Sequence, residues 1–167
     1  EDTPMVLRPG YITPQMLSKV LGKEVIIDPG IIAADDTRKP KAPGMKYKHY
    51  APKADMAIVD GTRKHVIAKI NELVASHRDD GKKIAVIATE ETKQFYDADV
   101  VLSMGSRADE DSIAHELYRI LRDCDELDVD VIFSESFSTP RIGQAIMNRM
   151  LKAAGHQVID THVKYDK

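Results

Sequence analysis

After Asp55 the chain alternates between two hydrophobic periods. Apolar runs at Met56–Val59, Ile84–Ala88 and Val100–Leu102, and one at Val129–Phe133 interrupted only by Asp130, have the length and the β-branched content of strands buried on both faces. The segments between them repeat near 3.6 residues. Between Thr62 and His77 one helix face carries Val66, Ile67, Ile70, Leu73 and Val74. A second helical stripe runs through Ile113, Ala114, Leu117, Ile120, Leu121 and Cys124, with Ser106 and Asp109 placed to open it as a capping box. Thr139 and Pro140 open a third helix that Gly155 ends, and Gln157–Ile159 adds a last strand. Strands and amphipathic helices in alternation predict an α/β fold with an open, doubly wound, mainly parallel sheet of Rossmann-like type over residues 54–167.

The text before Asp55 follows another grammar. Met5–Leu7 is a short apolar run ended by Arg8-Pro9-Gly10. Thr13 then caps, and Pro14 opens, a helix with Met16, Leu17, Val20 and Leu21 on one side, and Gly22 stands where a helix C-terminal glycine belongs. Val25–Ile27 reads as one more short strand. From Asp28 to Lys53 the prolines and glycines leave only loop, too long to sit inside one compact domain, so it is expected to be an interdomain linker or a functional lid. Residues 1–24 have no core of their own nearby, and the chain opens on Glu1. The expectation is a piece whose upstream part is missing; a trimmed small protein is the competing explanation.

Charge sharpens that division. Between Thr37 and Lys53 there are six basic residues (Arg38, Lys39, Lys41, Lys46, Lys48, Lys53) and no acidic one. The whole chain carries −3, so everything outside this segment sums to −9. A basic strap on an acidic body attracts an anion such as a nucleotide phosphate. On charge alone a solvated linker is the better account. Tyr47, His49 and Tyr50 tip the reading toward a lid, because a spacer needs no aromatic rings. The acidic body and the shortness of the basic segment argue against direct nucleic-acid binding. No apolar stretch approaches the ~20 residues of a membrane span. The single cysteine, Cys124, excludes an internal disulfide and fits a reducing, cytoplasmic setting.

Familiar motifs are missing. GxxxxGK[ST], GxGxxG and GxSxG do not occur, and the six histidines show no ligand spacing, so no metal site is expected. Open α/β sheets bind beyond the carboxyl ends of their strands. Those ends carry Asp60-Gly61, Thr89-Glu90, Ser103-Met104-Gly105-Ser106 and Ser134-Glu135-Ser136, with Arg141 beyond the last, where ordinary capping is the simpler reading.

The run Ala42 to Pro52, APGMKYKHYAP, resembles the linker of the long form of the threonylcarbamoyl-AMP synthase (YrdC/YwlC) family. Upstream, VLRPGYITPQMLSKVL (Val6 to Leu21) resembles the end of that family's catalytic YrdC-type domain. Downstream, Ala54 to about Ala154, including GQAIMNRMLKAA (Gly143 to Ala154), resembles its Rossmann-like C-terminal domain. The resemblance implies three parts: a remnant of the catalytic domain (1–24), a linker or lid (25–53) and an accessory domain (54–167). The parent enzyme would join threonine, bicarbonate and ATP into threonylcarbamoyl-AMP, with magnesium accompanying the ATP and none bound tightly. Lys46, Tyr47, Lys48, His49 and Tyr50 would face the substrate from the lid, and Arg8 would face the ATP pocket. The pocket motifs Lys-x-Arg and Ser-x-Asn of the catalytic domain are absent, so this segment alone is expected to be inactive, with an upstream YrdC-type domain as its partner. The alternatives are a stand-alone nucleotide- or anion-sensing module and a purely structural dimerisation domain.

Overall fold

The computed structural model describes residues 3–7, 10, 12–29, 51–137 and 143–162, without the side chain of Gln144. Arg8, the five lid residues Lys46 to Tyr50, Arg141 and the Thr139-Pro140 helix start lie outside the described residues.

Two sheets form. The smaller is a parallel pair of two-residue strands, β1 (Met5–Val6) and β2 (Ile26–Ile27), joined through helix α1 (Pro14–Leu21). The local chemistry of α1 is as expected. Thr13 accepts a hydrogen bond from the Met16 amide at 3.2 Å, Pro14 occupies the first turn, and Gly22 takes the left-handed conformation (φ 62°) that ends the helix. Its apolar side is only partly covered: Leu17 is half-buried, but Met16 and Leu21 are about half exposed and Val20 is 84% exposed.

The larger sheet has five strands, all parallel, in the order β5 (Val100–Ser103), β4 (Ile84–Ala88), β6 (Val131–Glu135), β3 (Asp55–Asp60) and β7 (Val158–Asp160). Side chains alternate across it and meet a helix layer on each face. Ala57 and Val59, with Ile84, Val86, Val131 and Phe133, pack against Val66, Ile70 and Val74 of α2 (Arg63–Asp79). Met56, Ile58, Ala85, Ile87 and Ile132 pack on the other face against α3 (Glu110–Glu126) and α4 (Gly143–Ala153). The α3 stripe is the one the periodicity predicts: Ile113, Leu117, Ile120, Leu121 and Cys124 are all buried. Each such side chain contributes roughly 1.5–3 kcal/mol on leaving water. Burial, and then the acidic neighbours Asp123 and Asp125, push the Cys124 thiol up to about 12, so it behaves as a small apolar residue. Arg149 of α4 lies over the Tyr118 ring of α3, 5.0 Å from its centre, tying the two helices together. At the amino edge of the sheet the Lys53 amide donates to Asp125 Oδ1 at 2.7 Å, fixing where the chain enters β3.

One expected cap differs. Asp109, not Ser106, caps α3, accepting from the Ser112 amide at 3.2 Å. Ser106 stands one turn earlier, where its Oγ accepts from the Ala108 amide at 3.1 Å and its hydroxyl donates to Glu91.

Candidate functional site

The strand order creates a crevice over β6. Its neighbours β3 and β4 both lead into connections on the α2 face, where Tyr96 joins the α2 cluster. β6 itself and β5 lead to α4 and α3 on the opposite face. The outgoing chains therefore part above β6, the arrangement in which open α/β sheets hold ligands. The resulting cavity, about 270 Å³, is lined by Gly61, Arg63, Val66, Glu91, Thr92, Arg107, Glu135 and Ser136.

Its floor is an ionic network. Glu135, the last residue of β6, is almost completely buried. The Tyr96 hydroxyl donates to its Oε1 at 2.5 Å, and Arg107 Nη2 donates to its Oε2 at 2.7 Å and to the Ser136 carbonyl at 3.2 Å. The Arg107 guanidinium also lies over the Phe137 ring, 4.7 Å from its centre. Burial, and then the Glu135 carboxylate it serves, raise the Tyr96 phenol far above its ordinary range, so it stays a neutral donor.

A second carboxylate locks the walls together. Glu91 Oε1 accepts from Ser106 Oγ at 2.5 Å and from the Arg107 amide at 3.1 Å. Burial alone would raise the Glu91 pKa, but these hydrogen bonds outweigh it and hold the carboxyl down to about 2. The Glu91 carbonyl accepts from Arg63, which opens α2 and stacks on Phe95, 5.8 Å from the ring centre. Ser136 Oγ donates to Asp60 Oδ1 at 2.5 Å, closing the β3 side. Gly61 (φ 147°) is required there: a Cβ would sit 2.0 Å from Thr161 Oγ1, which in turn donates to the Asp60 carbonyl at 2.8 Å.

The structure thus brings together three of the strand ends singled out from the sequence: Asp60-Gly61, Ser106 and Glu135-Ser136. Beyond the end of β4 the residues lining the cavity are Glu91 and Thr92, just past Thr89-Glu90. Arg63, Tyr96 and Arg107 escape sequence reasoning, because each lies in a turn or on a helix face where nothing in the local text separates it from a solvated residue. No cluster of three or more His, Cys, Asp or Glu side chains able to hold a metal exists among the described residues, and none of their helices is long and apolar enough to cross a membrane.

Residues 12–155 match the family described as threonylcarbamoyl-AMP synthase, C-terminal domain. The chain belongs to that family. It is 43% identical over 159 residues to the threonylcarbamoyl-AMP synthase of Bacillus subtilis, and 42% identical over 160 residues to that of Pyrococcus abyssi. Each match covers 95% of this chain and 44% of the relative, so the chain spans a little under half the length of the curated relatives it matches. Solved structures agree. The crystal structure of P. abyssi Sua5 complexed with L-threonine superposes with a TM-score of 0.83 at 39% identity, over 97% of this chain and 45% of that one. A P. abyssi Sua5 variant with a His and a Tyr replaced by Ala gives 0.85 at 37% identity, over 99% of this chain and 46% of that one. The isolated C-terminal Sua5 domain from Pyrococcus horikoshii gives 0.54 at 33% identity, over 66% of this chain and all of that one. Membership of this family does not favour the stand-alone sensing module.

Proposed function

We propose that this chain works as the C-terminal part of an L-threonylcarbamoyladenylate synthase, which makes threonylcarbamoyl-AMP and pyrophosphate from threonine, bicarbonate and ATP for the modification of adenosine in tRNA. The observation that carries the reading is the unfinished surface of the N-terminal unit. A two-stranded parallel sheet is not stable by itself, and α1 holds Met16, Val20 and Leu21 in solvent above it. An upstream YrdC-type domain completes this unit: residues 1–24 belong to it, 25–53 form the linker, and 54–167 the accessory domain.

In this reading Lys46 and Lys48 screen triphosphate charge, His49 hydrogen-bonds a phosphate or the carbamate, and Tyr47 and Tyr50 exclude water from a labile mixed anhydride. Arg8 offers a bidentate fork to ATP, which enters with magnesium. His49-Tyr50 is the single consecutive His-Tyr pair in this sequence, and the substituted His and Tyr of the P. abyssi variant make the pair a natural target. In this reading the reaction needs no direct contact between this chain and nucleic acid and takes place in the cytoplasm.

The test is direct. Given ATP, bicarbonate and threonine, the 167-residue polypeptide should form no adenylate, whereas the same polypeptide fused behind a YrdC-type domain should form it. Replacing Lys46, Lys48 and His49 together in the fused protein should cut the yield. Turnover by the polypeptide alone at the rate of the fused protein would refute the reading.

A further inference from the structure

The crevice over β6 has a lopsided inventory of hydrogen-bonding groups. Its carboxylate oxygens are all engaged. Both oxygens of Glu135 and both oxygens of Glu91 already receive protein donors. Its donors are not spent. Arg107 uses only its Nη2 end within the network, and its side chain is 38% exposed. Arg63 spends one nitrogen on the Glu91 carbonyl and, among the described residues, has no carboxylate partner. The two guanidiniums come from different elements, the first turn of α2 and the turn before α3, and both line the same cavity. Their charges also both reach the Tyr96 hydroxyl at its floor.

The Glu91 and Glu135 carboxylates balance the two guanidinium charges, so what the pocket offers is spare N–H donors, and these favour a ligand made of acceptors. Two guanidinium forks from separate walls suit a tetrahedral oxyanion better than a flat carboxylate, which one fork satisfies. Size narrows the choice. At about 270 Å³ the cavity lies at the small end of ligand sites, typically roughly 300–1,000 Å³, and holds an inorganic anion with room to spare. We propose that the cavity above β6, between Arg63 and Arg107, is a binding site for a small phosphate-class oxyanion, inorganic phosphate or pyrophosphate. The site lies in the Rossmann-like part of the chain. It goes beyond the proposed synthase function and does not depend on it.

Titration of the ¹⁵N-labelled 167-residue chain with phosphate, pyrophosphate and ATP, followed amide by amide, tests the site. Phosphate or pyrophosphate should give saturable shifts centred on Gly61, Arg63, Glu91, Arg107 and Ser136. Arg63→Gln should weaken that binding about tenfold, the loss expected for a charge-assisted pair, while the exposed control Lys82→Gln should leave it unchanged. An unaltered spectrum away from α2 would show that the Arg63 variant is folded. Three results would overturn the site: no saturable shift at millimolar anion, equal weakening by both variants, or saturation by ATP without any by pyrophosphate. Because the readout is binding and not adenylate formation, failure here leaves the synthase reading standing, and failure of that reading leaves this one open to its own test.

Discussion

The two sheets of this chain treat the same kind of residue in opposite ways. Ile120, on α3, is 1% exposed beneath the five-stranded sheet; Val20, on α1, is 84% exposed beside the two-stranded one. Both lie on regular amphipathic helices with sound caps, so local sequence does not separate them. What separates them is the presence of an opposing layer. A helix stripe shows where a side chain would be buried, and only the rest of the fold shows whether anything is there to bury it.

That contrast can be broken by measurement. Ile120→Ala should remove roughly 2–5 kcal/mol from the unfolding free energy of the chain, because the cavity sits in a closed core; urea denaturation reads it. A loss below about 0.5 kcal/mol would mean that the large sheet is packed no better than the small one. Glu135→Gln comes next. It leaves Arg107 and Tyr96 facing a neutral amide, and should cost about 1–3 kcal/mol, discounted because Arg107 keeps contact with water.

Glu91 sharpens the comparison through pH. Its pKa falls from 4.5 toward about 2 on folding. A depressed carboxylate adds stability above its unfolded pKa and loses it as pH falls through the folded value. Acid should therefore erode stability between about pH 4.5 and pH 2. Glu91→Gln should flatten that part of the curve by about 1–2 kcal/mol after solvent screening. An unchanged acid limb would show that the wall contacts of Glu91 do not hold in solution. The smallest effect belongs to the other sheet. Val20→Ser should alter the stability of the isolated chain by less than about 0.5 kcal/mol, yet should be clearly destabilising once an upstream domain covers α1. Equal effects in both settings would remove the case for a covering partner.

Much of the larger fold was legible in the sequence because it rests on burial. Four apolar runs and two apolar stripes require a parallel sheet with two helical coats, and the structure has them. Strand ends were off by a residue or two: β6 begins at Val131 and runs on to Glu135, past the apolar stretch. Glu135 is the instructive case. A carboxylate normally marks the end of a buried strand, yet here it is buried because Tyr96 and Arg107 meet it from turns 39 and 28 residues away. No window of sequence contains those partners. The Ser106 hydroxyl likewise donates to Glu91, 15 residues upstream, a partner that lies outside the capping pattern. Site chemistry made of long-range pairs is written in the topology, and the topology becomes readable only after the strands are ordered.

The Lys53–Asp125 contact carries one more implication, which is mechanical. It fastens one end of β3, and that strand is flanked by β6 and β7 and runs to Gly61 at the far rim. Tension arriving along the preceding segment would load both hydrogen-bond ladders in shear, so that every rung shares the strain and none can be unzipped singly.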